Sequence, residues 1–214
     1  MRPKLKVCGI NDAAFAAEAA RYGVDYLGLI FAAKSPRRVT LSEAKKIRGA
    51  ALGGGANFSA ATGGPKFVGV FVDTPVDVIV RMAESVPLDV VQLHGPYTDK
   101  DIDRLRRICR TPLEVWRLLG ETPGAEDAVL LDGRDGAKTG GTGRRADWSL
   151  VPQQKQRGFK VVLAGGLSAE NILEASMSGA DILDVNSSLE TSPGVKSTVL
   201  LARLVNSLSA QLAK

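Results

Sequence analysis

A thiol and a carboxyl, two groups suited to proton transfer, each end a short apolar run of this sequence. Cys8 ends the run Leu5–Cys8, and Asp132 ends the run Val129–Asp132. An unperturbed thiol titrates near pH ~8.5 and a carboxyl near ~3.9. An electropositive site lowers a thiol's pKa, and partial desolvation raises a carboxyl's, so both approach the range where proton transfer is efficient. The pair is a candidate base and acid, but an inert buried cysteine and a turn-capping aspartate fit the same residue types.

Two glycine- and serine-rich segments are candidates for binding a phosphate group. Gly165 and Gly166 lie between an apolar run and a helix-like segment, and Asn186 and Ser187 follow the last apolar run. Backbone N–H groups exposed at such turns bind phosphate oxygens. Glycines that serve tight turns alone are the alternative. The two segments predict a phosphorylated small-molecule ligand.

Three more polar residues at or near the ends of apolar runs are predicted to bind substrate. Arg37 follows the second run, His94 the fourth, and Asp184 lies in the eighth. The planar guanidinium of Arg37 suits a carboxylate, although a surface role for Arg37 and a core or turn role for His94 fit equally well. Gly140–Gly143 is either a mobile flap or an ordinary turn.

The sequence predicts neither a metal nor a cofactor. Its two cysteines and single histidine lie far apart, and no CxxC, HExxH or Walker pattern occurs. Two cysteines are too few for a disulfide scaffold, so we expect a reducing, cytoplasmic location. The first ten residues lack the apolar core of a signal peptide, and no apolar stretch approaches 18 residues, so we expect no membrane partner.

Composition and charge narrow the class of protein further. The chain has 214 residues, of which 44% are hydrophobic, and 28 basic against 23 acidic residues give a net charge of +5. This composition is typical of a globular protein and excludes a disordered chain or a fibre. The positive charge suits an anionic substrate. Because the basic residues are dispersed or share one helix face, we expect no nucleic-acid partner. A monomer is expected, with a dimer as the alternative.

Eight short apolar runs alternate with longer, helix-like segments. The runs are Leu5–Cys8, Tyr26–Phe31, Phe67–Val72, Val90–Leu93, Leu113–Trp116, Val129–Asp132, Val161–Ala164 and Ile182–Val185. The helix-like segments are Asp12–Tyr22, Ser42–Arg48, Val76–Ser85, Asp99–Cys109, Ala169–Ser178 and Ser197–Leu212. Strands buried on both faces and separated by helices predict a parallel sheet, which eight units close into a (β/α)8 TIM barrel, here a single domain spanning residues 1–214.

The alternative fold is a doubly wound open sheet. Within the barrel, we expect short turns instead of full helices after the fifth and sixth strands. The glycine-rich stretch Gly49–Pro65 is expected to form a loop without function at the bottom of the barrel. Active sites of this fold lie at the carboxyl ends of the strands, which is where the candidate residues fall.

An ordered set of motifs over nearly the whole chain resembles the phosphoribosylanthranilate isomerase family of tryptophan biosynthesis. The motifs are Lys6-Val7-Cys8-Gly9-Ile10, Gly28-Leu29-Ile30-Phe31, Lys34-Ser35-Pro36-Arg37, Val68-Gly69-Val70-Phe71-Val72, Val91-Gln92-Leu93-His94-Gly95, Leu130-Leu131-Asp132, Gly140-Gly141-Thr142-Gly143, Asp147-Trp148, Leu163-Ala164-Gly165-Gly166-Leu167 and Pro193-Gly194-Val195-Lys196. The resemblance implies a cofactor-free Amadori rearrangement on a TIM barrel.

By position in these motifs, the resemblance implies that Asp132 is the general acid, Cys8 the general base and Arg37 the anchor of the anthranilate end. The sequence departs from the family at Ser188, where glycine is usual and where a positive φ would cause strain. A related barrel isomerase acting on an aminoaldose is an alternative, but such enzymes carry aspartate at the position of Cys8. A non-catalytic barrel that binds phosphorylated ligands is the other alternative.

Overall fold

Eight parallel strands close into a barrel in the computed structural model, which describes residues 2–53, 64–120, 124–133 and 146–209. The strands are β1 (Lys4–Cys8), β2 (Tyr26–Ile30), β3 (Lys66–Val72), β4 (Val90–His94), β5 (Glu114–Leu118), β6 (Ala128–Leu131), β7 (Lys160–Leu163) and β8 (Ile182–Val185). Each strand pairs with the next along the chain, and β8 pairs with β1 through Lys6 and Asp184. The predicted barrel is confirmed, and the open sheet is wrong.

Helices follow most of the strands and cover the outside of the barrel. They are α1 (Ala13–Arg21), α2 (Leu41–Gly53), α3 (Val76–Ser85), α4 (Asp99–Ile108), α5 (Leu150–Gln156), α6 (Ile172–Ser176) and α7 (Thr198–Ser209). The expectation of only a short turn after the sixth strand is wrong, because the seven residues of α5 form a helix there. Helix α2 runs into the glycine-rich stretch as far as Gly53, and residues 54–63 of that stretch lie outside the described residues.

The strands are buried on both faces because each contacts helices outside and other strands inside. In β1, Leu5 and Val7 pack with the helices, whereas Lys6 and Cys8 face the barrel interior. The interior is filled mainly by apolar side chains. The rings of Tyr26 and Trp116 pack edge to face there, with their centroids 5.1 Å apart. This double burial explains why the strands read as continuous apolar runs. No helix within the described ranges is long and apolar enough to cross a membrane.

An ion cluster joins three strands at their amino ends, away from the predicted site. Glu114 accepts hydrogen bonds from Lys160 at 2.8 Å, Trp116 Nε1 at 3.1 Å and Lys66 at 3.2 Å. Burial opposes ionisation of Glu114, but these donors outweigh it and lower its pKa to about 2. The cluster therefore stabilises the ionised carboxylate in the folded protein.

Glu114→Gln is expected to make stability less sensitive to acid. A carboxyl whose folded pKa is depressed stabilises the protein above its unfolded pKa near 4.5, and this contribution is lost as pH falls toward 2. The variant should be less stable by about 1–2 kcal/mol at pH 7, after allowance for solvent screening. Urea unfolding at pH 7 and pH 3 measures the difference, which should shrink at pH 3.

Asp77→Asn is the control, because Asp77 forms an ion pair with Arg104 that is half exposed. Such a pair contributes about 0–1 kcal/mol. An equal loss for Glu114→Gln at both pH values would contradict the expected pH dependence.

Candidate active site

A cavity of about 580 Å³ opens at the carboxyl ends of the strands. All nine residues predicted to form the site line it: Cys8, Arg37, His94, Asp132, Gly165, Gly166, Asp184, Asn186 and Ser187. They come from loops and strand ends across the whole chain. The structure therefore brings the predicted residues together, while the roles assigned to them stay predictions. Gly140–Gly143, the candidate flap, lies outside the described residues.

Cys8 lies deep in this cavity beside a buried ion pair. Only 5% of the surface of Cys8 is exposed to solvent. Lys6 precedes it by two positions on the same face of β1, and Lys6 Nζ donates a hydrogen bond to Asp184 Oδ2 at 2.6 Å. Burial raises the pKa of the Cys8 thiol, and the positive charges of Lys6 and Lys196 offset this only in part. An electropositive site alone would lower this pKa, but desolvation of the thiol has the larger effect here.

Gly28 provides the space that the Cys8 side chain occupies. It is paired with Cys8 across β1 and β2, and a Cβ atom added to Gly28 would lie 2.9 Å from Cys8 Sγ and 3.0 Å from Cys8 Cα. At these distances either the Cys8 side chain or the neighbouring strand must give way by a few tenths of an ångström. A glycine here therefore keeps the thiol in its observed position.

Gly28→Ala is expected to displace the Cys8 thiol by a few tenths of an ångström and to lower any activity that depends on this thiol by up to about 10-fold. Stability should fall by about 1–3 kcal/mol through overpacking. Gly49→Ala is the matched control, since Gly49 lies in α2 with no atom within 4 Å of an added Cβ. That variant should keep full activity and gain up to about 1 kcal/mol of helix stability. Steady-state kinetics and urea unfolding measure both effects.

Asp132 follows β6 directly and lines the cavity. Because β7 and β8 separate β6 from β1 in the barrel, Asp132 lies on a different wall from Cys8. A Cβ added to Gly165 would lie 3.0 Å from Asp132 Oδ1, so the carboxylate borders the glycine turn after β7. Its charge also acts on Asp184. A carboxyl and a thiol thus approach a bound ligand from different sides.

The predicted phosphate loops form a continuous rim after β7 and β8. Gly165 and Gly166 have φ of +82° and +66°, a conformation that favours glycine. Ser187 begins a short 3₁₀ helix, and Ser188 Oγ donates to the carbonyl of Leu167 at 2.6 Å, which ties the two loops together. Among the described residues, the one non-glycine with a positive φ lies elsewhere, so the expected strain at Ser188 is absent.

Arg37 is held by a charge network that was not predicted from the sequence. Its Nε and Nη2 donate to the two carboxylate oxygens of Glu190, both at 2.7 Å. Lys196, whose side chain is fully buried, donates to the same carboxylate at 2.7 Å and to Asn186 Oδ1 at 2.8 Å. Burial opposes the ionisation of Glu190, but Arg37 and Lys196 lower its pKa to about 2. The network fixes the guanidinium at the cavity wall.

Glu190 and Lys196 lie on a hairpin of β9 (Glu190–Ser192) and β10 (Val195–Lys196) that follows β8. The motif ending at Lys196 contributed to the family resemblance, but nothing in its spacing indicated contact with Arg37. Lys6 was missed in the same way. A lysine inside an otherwise apolar strand, two positions from the thiol, was the available signal.

Two buried acceptor atoms face the cavity without a partner among the described residues. They are Asp184 Oδ1 and Gln92 Oε1. The amide nitrogen of Gln92 lies 2.7 Å from His94 Nε2, which orients the buried imidazole at the end of β4. Buried polar atoms are nearly always hydrogen-bonded in folded proteins. The two acceptors are therefore suited to hydroxyl groups of a ligand.

Comparison with known proteins places this architecture in a family. The family model described as N-(5'-phosphoribosyl)anthranilate (PRA) isomerase matches residues 5–207. The chain belongs to the PRA isomerase family. It is similar to the N-(5'-phosphoribosyl)anthranilate isomerase of Rubrobacter xylanophilus, with 38% identity over 216 residues that cover 95% of this chain and 97% of that protein.

Longer relatives and solved structures of the family agree with this placement. The tryptophan biosynthesis protein TrpCF of Yersinia pestis is 37% identical over 212 residues, which cover 95% of this chain. This chain spans 40% of the length of that protein. The crystal structure of the isomerase from Thermus thermophilus superposes with a TM-score of 0.80 at 29% identity, covering 97% of this chain and 99% of that one.

No group of three or more His, Cys, Asp or Glu side chains within the described ranges is arranged to hold a metal ion. The expectation of a cofactor-free site stays a prediction.

Proposed function

We propose that this chain is a phosphoribosylanthranilate isomerase, which converts N-(5-phosphoribosyl)anthranilate to 1-(2-carboxyphenylamino)-1-deoxyribulose 5-phosphate in tryptophan biosynthesis. The observation that carries the proposal is the placement of Cys8 and Asp132 on separate walls of one cavity. An arginine and two loops, one at Gly165 and Gly166 and one at Asn186 and Ser187, line the same cavity. An acid, a base, a carboxylate anchor and a phosphate anchor are what this substrate requires.

The two charged ends of the substrate determine its orientation. The phosphate binds to the backbone at Gly165, Gly166 and Ser187, where glycine turns and the start of a 3₁₀ helix expose N–H groups. The anthranilate carboxylate binds to Arg37. Because Glu190 accepts from Nε and from one N–H group of Nη2, the second N–H group of Nη2 and both of Nη1 are left for the substrate.

Asp132 acts first, as the general acid. Its protonated carboxyl gives a proton to the ring oxygen of the ribose, the bond between C1 and this oxygen breaks, and the nitrogen lone pair forms the C1=N bond of a protonated Schiff base. The carboxylate that remains is placed beside the Gly165 turn. Proton donation in the transition state supports rate increases of about 10²- to 10⁴-fold.

Cys8 acts second, as the general base. Its thiolate removes the proton from C2, and the electron pair of that C–H bond forms the C1=C2 bond of an enolamine while the C=N electrons return to nitrogen. The enolamine then gains a proton at C1 and loses the proton of its C2 hydroxyl, which gives the ketone. Asp184 Oδ1 and Gln92 Oε1 accept hydrogen bonds from sugar hydroxyls, and His94 supports Gln92.

A direct assay tests the proposal. Phosphoribosylanthranilate is generated in place from anthranilate and phosphoribosyl pyrophosphate by a separately added phosphoribosyltransferase, which releases pyrophosphate. The loss of phosphoribosylanthranilate fluorescence is followed after the protein is added. Rapid loss with the wild-type protein and none with Cys8→Ser supports the isomerase. A folded wild-type protein without activity would contradict it, and aminoaldose phosphates would be tested next.

The proposal also covers the domain organisation, oligomeric state and location of the protein. We infer one catalytic domain over residues 1–214, acting as a monomer in the cytoplasm, with a phosphorylated small molecule as its substrate and no nucleic-acid or membrane partner. Size-exclusion chromatography with light scattering tests the monomer directly.

A further inference from the structure

A buried lysine, Lys6, lies beneath the cavity and has no role in the proton transfers proposed above. Lys6 is fully buried and its ammonium donates to Asp184 Oδ2 at 2.6 Å. The neighbouring strand positions inside the barrel are largely filled by apolar residues such as Tyr26 and Val68. Replacing a buried ion pair by apolar residues of similar volume is often neutral or stabilising, so the pair is weak evidence for a purely structural role.

The position of Lys6 on β1 places its side chain on the same face of the strand as the thiol. Side chains two residues apart on a strand point to the same face, so Lys6 and Cys8 both face the interior. An ammonium has three N–H donors, and Asp184 accepts from one of them. The positive charge of Lys6 also acts on the Cys8 thiol. One buried cation is thus paired with the Asp184 carboxylate on the strand face that carries the Cys8 sulfur.

Other charged groups reach Cys8 from neighbouring elements. Lys196 approaches from β10 and Arg37 from the loop after β2, while the negative charge of Asp184 acts from β8. Lys196 and Arg37 are both bound to Glu190, which offsets their charge. Of all these charges, that of Lys6 has the largest effect in favour of the thiolate.

We propose that Lys6 is a positioning residue for Cys8: its buried ammonium, held by Asp184 on the face of β1 that carries the thiol, stabilises the thiolate through its positive charge. Asp184 holds Lys6 in the protonated state and in place. The consequence for turnover rests on the proposed isomerase function, because only a reaction that uses the Cys8 thiolate depends on it. The stabilisation of the thiolate itself does not, and it is measurable without substrate.

The test measures alkylation of Cys8 by iodoacetamide as a function of pH. The protein carries Cys109→Ser, which leaves Cys8 as its single thiol. Lys6→Met is compared with the parent, and Lys6→Met/Asp184→Asn removes both charges so that no unpaired carboxylate stays buried. Lys4→Met is the matched control: it removes a charge from the same strand, but Lys4 is exposed and lies over the Tyr26 ring.

Both Lys6 variants are expected to raise the pKa of the thiol by about one unit or more, since an opposite charge within ~4–6 Å shifts a pKa by that amount. Alkylation at pH 7 should therefore slow about tenfold or more, whereas Lys4→Met should match the parent. Circular dichroism confirms the fold. A folded double variant with the parental pH profile would overturn the proposal, as would a parent thiol that stays unreactive up to pH 10.

Turnover is measured on the same proteins to separate the two proposals. Lys6→Met should lower kcat with little change in KM, because the lysine does not contact the substrate. If the parent protein shows no isomerase activity but the alkylation profile shifts, the proposed function fails and the role of Lys6 stands. If the parent is active and the profile does not shift, the function stands and the role of Lys6 fails.

Discussion

Cys8→Ser is expected to lower kcat for the isomerisation by about 10²- to 10⁴-fold, the range that removal of a general base produces. An alcohol is a far weaker acid than a thiol, so serine supplies almost no anionic base near neutral pH. The two side chains differ by one atom, so KM and the far-ultraviolet circular dichroism should stay close to the wild-type values. Steady-state fluorescence assays measure both constants.

The pH dependence gives a second signature of the same residue. Burial raises the pKa of the Cys8 thiol above its usual value, so the thiolate fraction increases as pH rises from neutral into the alkaline range. In the wild-type protein kcat/KM should rise with pH over that range, and in Cys8→Ser this limb should disappear. A variant that keeps both the rate and the alkaline limb would remove Cys8 from the mechanism.

Asp132→Asn is expected to cause a loss of similar size, about 10²- to 10⁴-fold in kcat. An amide has nearly the same shape as a carboxyl but does not donate an acidic proton to the ring oxygen. Substrate binding should change little, because asparagine keeps the shape of the side chain beside the Gly165 turn. Steady-state kinetics with both variants in parallel measures the effect.

Asp73→Asn is the matched control for this prediction. Asp73 is another cavity carboxylate, and its φ of +47° is a conformation that asparagine also adopts readily. The control should keep near-normal kcat. Equal losses in the two variants would show that the cavity needs negative charge in general, and a fast Asp132→Asn enzyme would exclude Asp132 as the acid.

The sequence alone determined the barrel and most of its candidate site. Parallel strands buried on both faces appear in the sequence as continuous apolar runs. This pattern is why all eight strands could be predicted. Because active sites of such barrels lie at the carboxyl ends of strands, Cys8, Asp132 and the Gly165–Gly166 turn could be selected by position. The short helix α5 was missed, since its seven residues carry too brief a periodic pattern.

The tertiary structure decided which charges surround these residues. Lys6 and Asp184 are 178 positions apart in the chain, and Arg37 and Glu190 are 153 apart. Only the closure of the barrel between β8 and β1, together with the hairpin after β8, brings these partners together. The apolar pattern of a strand indicates that it is buried but not which strand lies beside it or which charged side chain it meets. The state of the thiol follows from the balance of burial against those charges, and that balance exists only in the folded protein.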